Sequence, residues 1–168
     1  MNVGFIGLGI MGTPMALHLL NAGHQLFVTT RSKLPEAVAS TSALRCANAA
    51  EVARQAEVVF LMVPDTPDVE QVLFGKGGVA EALPGTGARK VVVDMSSISP
   101  MATKAFAAKI NALGADYVDA PVSGGEVGAK AASLTIMCGG DEAVFQRVQP
   151  LLALMGKKEE ATQILTAA

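Results

Sequence analysis

Residues Met1–Gly12 read MNVGFIGLGIMG. A short apolar run, Val3-Gly4-Phe5-Ile6, gives way to three glycines, Gly7, Gly9 and Gly12, spaced G-x-G-x-x-G. Three glycines alone say little. Here they follow a strand-like run and open a segment of helical period over Ile10–Ala22, and a second strand-like run, Gln25–Thr29, comes soon after. That is the setting in which the pattern marks a dinucleotide site. Gly7 then permits the tight turn, Gly9 lets a pyrophosphate approach bare backbone, and Gly12 lets the helix pack close to the strand. Leu8, Ile10 and Met11 complete the loop, and the N–H groups at the helix start supply a positive dipole end for phosphate. Pro14 falls in the first helical turn, where a missing N–H costs little.

Beyond this unit, short β-branched runs alternate with Ala-rich segments of helical period. Strands are expected at Val3–Gly7, Gln25–Thr29, Glu57–Val63, Lys90–Asp94, Ala115–Asp119 and Ser133–Cys138. Helices are expected near Ile10–Ala22, Lys33–Ser40, Ala49–Gln55, Pro67–Phe74, Pro100–Leu113 and Asp141–Met155. Such alternation predicts parallel strands joined by crossover helices. Val91-Val92-Val93 and Val58-Val59-Phe60-Leu61 are apolar throughout, as required of strands covered on both faces. The expected fold class is α/β: a Rossmann-type doubly wound, mainly parallel sheet with helices on both faces. Gly75-Lys76-Gly77-Gly78 and Pro84-Gly85-Thr86-Gly87 read as surface loops.

The 168 residues carry a net charge of −2 and no Lys/Arg cluster, which gives no footing for nucleic acid or an anionic membrane. No apolar run approaches the roughly 20 residues that span a bilayer. The chain enters its first strand at once, without a basic leader, so a cytoplasmic location is expected. Cys46 and Cys138 are far apart and lack C-x-x-C spacing, and read as buried thiols. His18 and His24 have no acid or Cys at ligand spacing, so no metal site is expected.

Ligands of open α/β sheets bind outside the carboxyl ends of the strands. The second strand ends in Thr29-Thr30-Arg31-Ser32, with no acid between Ala22 and Lys33 to accept bonds from an adenosine ribose. Thr30, Arg31 and Ser32 instead offer hydroxyls and a guanidinium, which suit a 2′-phosphate and favour NADP, with NAD the second candidate. Further strand ends read Met62-Val63-Pro64-Asp65-Thr66-Pro67, Asp94-Met95-Ser96-Ser97-Ile98-Ser99-Pro100 and Asp119-Ala120-Pro121-Val122-Ser123-Gly124-Gly125. Composition alone lets these serve equally as ligand loops or as turns and N-caps.

Together, GFIGLGIMGTPMALHLLNAGH, DMSSISP and DAPVSGGEVGA resemble, in order and spacing, the motifs of the β-hydroxyacid dehydrogenase family, to which 3-hydroxyisobutyrate dehydrogenase belongs. The resemblance covers about residues 1–157. It implies an NAD(P)-dependent oxidoreductase acting on a small 3-hydroxy acid or its semialdehyde, and MVPDTPDVEQVLFG with GGDEAVFQRVQPLL points towards reduction of tartronate semialdehyde to D-glycerate. Related substrates would be 3-hydroxyisobutyrate or succinic semialdehyde. By the same resemblance Gly7 to Gly12 hold the pyrophosphate and Thr30, Arg31 and Ser32 the adenosine ribose. Val63 and Pro64 line the cofactor, Ser96 or Ser97 lies near the nicotinamide, and Ser123, Gly124 and Gly125 hold the substrate carboxylate. A homo-oligomer fits the family pattern.

The family's general acid is a lysine in a G-x-G-x-x-x-K motif after the last strand of the nucleotide domain, followed by an all-helical domain. After Gly156 this sequence reads KKEEATQILTAA, without that motif. Lys157 and Lys158 do not match it and read as a solvated charge run. No strand is expected here. The expected organisation is a nucleotide-binding domain over 1–156 and a divergent tail over 157–168, with no catalytic residue assigned. A cofactor-binding module without turnover is the alternative reading.

Overall fold

A computed structural model describes residues 1–162 apart from Thr86 and Ala88, with side chains up to residue 157. The first unit is β1 (Asn2–Ile6), α1 (Gly12–Asn21) and β2 (Gln25–Thr29). Then come α2 (Glu36–Ala39), β3 (Leu44–Arg45), α3 (Ala49–Gln55), β4 (Val58–Leu61) and α4 (Thr66–Phe74). A 3-10 turn over Val79–Ala82 leads to β5 (Val91–Asp94), α5 (Pro100–Ala112) and β6 (Asp116–Asp119). The chain continues through β7 (Val122–Ser123), α6 (Gly125–Ala131), β8 (Leu134–Gly139), α7 (Glu142–Leu152) and β9 (Gly156–Thr162).

The sheet runs β3-β2-β1-β4-β5-β6-β8-β7, with β9 on β8. Strands β3 to β6 along this order are all parallel, while β8 is antiparallel to β6 and β7. The order reverses at β1: β2 lies on one side of it and β4 on the other. Loops leaving these strands therefore diverge and open a crevice at their carboxyl ends.

Successive residues of a strand point to opposite faces, and the core divides accordingly. Val3, Phe5, Val58, Phe60, Val91 and Val93 pack with Met15 and Leu19 of α1 and with Val148 and Leu152 of α7. Ile6, Val59, Leu61 and Val92 pack with Val52 of α3, Leu73 of α4 and Phe106 and Ile110 of α5. Both faces are covered, so the continuous apolar runs have their explanation. At Gly4 a side chain would collide with Val52 Cγ1, so the glycine lets α3 lie close on the sheet.

Three expectations change. The segment expected as one helix over Lys33–Ser40 forms a single turn, with Pro35 at its N-cap. The short strands β3 and β7 form in stretches where no strand is expected, and α6 starts at Gly125. Most plainly, the charge run after Met155 takes strand conformation where no strand is expected: β9 pairs in parallel with β8, from Leu134–Gly156 to Gly139–Thr162, with the Lys157 side chain exposed. An edge strand needs backbone N–H and C=O groups more than apolar side chains, and β8 supplies them. Residues 163–168 of the expected tail, and Thr86 of an expected loop, lie outside the described residues.

Candidate nucleotide site

A cleft of about 750 Å³ opens at the carboxyl ends of β1, β2, β4 and β5. Its floor is the loop after β1. Gly7 has φ of +100°, and a Cβ there would strike the Met62 carbonyl oxygen of the neighbouring strand end. Only glycine takes that turn without strain. A Cβ on Gly12 would strike the Gly7 carbonyl oxygen, so the start of α1 folds directly back over the turn. The space where a Cβ of Gly9 would stand is open. Backbone is thus bare to a ligand where a pyrophosphate would pass. The N-terminus of α1 has no side-chain cap and no acid in its first turn; the Thr13 N–H bonds the Gly9 carbonyl at 3.0 Å and Pro14 has no N–H, so the Gly12 N–H is the helical donor left to an anion.

Thr30, Arg31 and Ser32 line one end of the cleft, and Met62, Val63, Pro64 and Ser97 line it from the ends of β4 and β5. Thus Gly7, Leu8, Gly9, Ile10, Met11 and Gly12 share one cavity with residues of three other loops. Ser96 is the exception. Its side chain is fully buried behind the wall rather than on it. Its Oγ accepts a 3.0 Å bond from the Val63 N–H, and its own N–H donates to Asp94 Oδ1 at 3.0 Å. Of the two serines expected near the nicotinamide, Ser97 lies on the wall and Ser96 shapes it from behind.

Asp94 anchors that arrangement. Its carboxylate is fully buried at the end of β5 and also accepts from the Tyr117 hydroxyl at 2.7 Å. Burial raises its pKa, although the bonds from Tyr117 and Ser96 pull the other way. Asp119 lies beside it in register on β6. Burial, reinforced by the Asp94 charge, pushes the Asp119 carboxyl up to about 7.

Four polar residues of the cleft carry no local signal in the sequence: Asn48, Asp68, Gln71 and Lys76. Asn48 caps α3 by accepting from the Glu51 N–H, and Lys76 belongs to a loop expected only as surface. Asp68 Oδ1 lies 2.9 Å from Arg31 Nη1, so the guanidinium expected to meet a phosphate already has a carboxylate partner. Ser123, Gly124 and Gly125 stand apart from this cavity. They are exposed beyond the end of β6, with φ of +135° and +60° at the two glycines. His18 Nε2 bonds the Ala129 carbonyl at 2.8 Å and so ties α1 to α6. Both cysteines are buried and form no disulfide. Among the described residues no group of three or more His, Cys, Asp or Glu side chains could hold a metal, and no helix is long and apolar enough to cross a membrane.

Residues 2–165 match the family described as the NAD binding domain of 6-phosphogluconate dehydrogenase. This chain is a member of that family. The membership extends through the β9 segment, and the resemblance read from the loops agrees with the named relatives. The 2-hydroxy-3-oxopropionate reductase of Escherichia coli is 56% identical over 94% of this chain and 53% of its own length. Among solved structures, Mycobacterium tuberculosis 3-hydroxyisobutyrate dehydrogenase with L-serine superposes with a TM-score of 0.83 at 33% identity, over 95% of this chain and 53% of the other. Psf3 in complex with NADP+ and 2-OPP gives 0.86 at 29% identity, over 95% of this chain and 56% of the other. The chain spans about half the length of the curated relatives it matches. As an NAD-binding domain of this family it places its cleft where the fold requires, at the reversal of strand order.

Proposed function

We propose that this chain is the nucleotide-binding half of an NADP(H)-dependent reductase that converts tartronate semialdehyde (2-hydroxy-3-oxopropionate) to D-glycerate. NAD is the second cofactor candidate. The observation that carries the reading is the cleft itself: bare backbone at Gly9 and an uncapped α1 N-terminus face hydroxyls and a guanidinium at one end and an apolar wall at the other. The substrate part rests on the Escherichia coli relative's name and on the matched loop motifs.

In this reading Gly7, Leu8, Gly9, Ile10, Met11 and Gly12 hold the pyrophosphate, and Thr30, Arg31 and Ser32 hold the phosphorylated ribose. Val63, Pro64 and Ser97 face the nicotinamide, with Ser96 and Asp94 fixing that wall from behind. When bound, the dihydronicotinamide supplies the hydride. Ser123, Gly124 and Gly125 turn backbone N–H groups towards a substrate carboxylate. No residue of this chain is assigned the proton transfer to the carbonyl oxygen. The partners are a small-molecule semialdehyde and a second copy of the protein, with no nucleic acid or membrane, in the cytoplasm.

The test is titration of the protein into NADPH, followed by nicotinamide emission. A saturable change supports the assignment, and no change with either NADPH or NADH contradicts it. Adding tartronate semialdehyde to the same mixture should give no NADPH oxidation, since no residue of this chain is assigned the proton transfer. Adding D-glycerate or 3-hydroxyisobutyrate to labelled protein saturated with NADP+ reads the substrate: the amide resonances of Gly124 and Gly125 should move with D-glycerate first.

A further inference from the structure

Among the described residues, three charged side chains line the cleft: Arg31, Lys76 and Asp68. The carboxylate is the one that does not suit a phosphorylated ligand. It comes from the first turn of α4, while Arg31 comes from the loop after β2, and their atoms meet at 2.9 Å across the cleft wall. The Arg31 side chain is 76% exposed and that of Asp68 22% exposed, so Arg31 is the partner able to turn outward. A 2′-phosphate reaching Arg31 must draw it from Asp68 or settle beside that negative charge. A ribose carrying only hydroxyls meets neither cost, and a carboxylate there accepts hydrogen bonds from it.

We propose that Asp68 sets the nucleotide selectivity of this cleft: by holding Arg31 it weakens the grip on a 2′-phosphate and leaves the unphosphorylated nucleotide admissible. The inference rests on the cleft being the nucleotide site. It supplies, from α4, the acidic side chain missing from the end of β2.

The experiment measures dissociation constants of NADPH and NADH for the wild type, Asp68→Asn and Asp68→Glu, at low salt and at 0.5 M salt. Asp68→Asn should tighten NADPH binding about fivefold, the scale of one partly exposed charge interaction, while NADH, which loses a carboxylate acceptor for its ribose hydroxyls, binds no tighter than in wild type. Asp68→Glu should keep the wild-type ratio. Salt should shrink the gain, because such pairs are screened. Equal change for both nucleotides, or looser NADPH binding in Asp68→Asn, would show that Asp68 serves only the start of α4 and would overturn the inference. Loss of selectivity in Asp68→Glu would overturn it too. Wild-type protein that binds neither nucleotide would instead overturn the cofactor reading, and this inference with it.

Discussion

At the scale of single residues, the cleft depends on side chains that do unlike work. Arg31 acts by charge at an exposed position, so its removal should be felt by one ligand and not by the fold. Arg31→Gln should loosen NADPH about fivefold or more while leaving NADH within twofold and the thermal midpoint unchanged. Calorimetric titration with both nucleotides checks this, and equal loosening of the two would remove Arg31 from the phosphate end. Ser96 acts from behind the wall. Ser96→Ala would strip the Val63 N–H of its acceptor and Asp94 of a hydroxyl donor, in surroundings shut off from water. A loss of about 1–3 kcal/mol in urea unfolding is expected, together with weaker binding of both nucleotides alike. An unchanged urea midpoint would show that the Val63 loop does not depend on this bond.

At the scale of elements, the β1–α1 turn is the most demanding piece of backbone. Gly12→Ala places a methyl group against the Gly7 carbonyl oxygen, so α1 must back away from β1 or the turn must open. Either costs about 1–3 kcal/mol and widens the pyrophosphate seat. Circular-dichroism melting with and without NADPH checks it: a lower midpoint that NADPH no longer raises is expected. This turn was legible in the sequence because its glycine spacing and its strand-to-helix setting are both local. The elements that escaped are those made by pairing rather than by pattern. β3 and β7 are two residues each and carry no period. β9 reads as a charge run, and its strand conformation comes from the hydrogen-bonding edge of β8. Asp68, Asn48, Gln71 and Lys76 were hidden for a related reason. They reach the cleft from α3, α4 and the loop after it, and only the sheet order brings those beside the glycine loop. The ends of β5 and β6 did leave a trace, since VVVD and DYVD place two acids at matching positions of neighbouring strands.

At the scale of the whole molecule, those two acids tie global stability to pH. Asp94 and Asp119 both have folded-state pKa values above the ordinary carboxylate range, and Asp119 reaches about 7. Between about pH 4 and pH 7 the unfolded chain has released the Asp119 proton while the folded protein still binds it. Stability contributed by the pair therefore falls as pH rises through this window and levels off above it. Chemical denaturation should show a higher midpoint at pH 5.5 than at pH 7.5, and Asp119→Asn should flatten that slope. A midpoint that rises with pH equally in both proteins would deny the pair its role. The doubly wound sheet explains why the acids sit where they do: both end strands whose carboxyl edge also carries the cleft, so the wall and the proton site share Asp94.

Every role given to this cleft requires that a dinucleotide lie with its pyrophosphate over Gly7–Gly12. The most direct measurement is a titration of ¹⁵N-labelled protein with NADPH, followed through its amide resonances. Saturable shifts are expected, largest at Gly9, Ile10, Met11 and Gly12, with smaller ones at Arg31, Val63 and Ser97. Saturable shifts centred elsewhere, or none at millimolar NADPH, would contradict it.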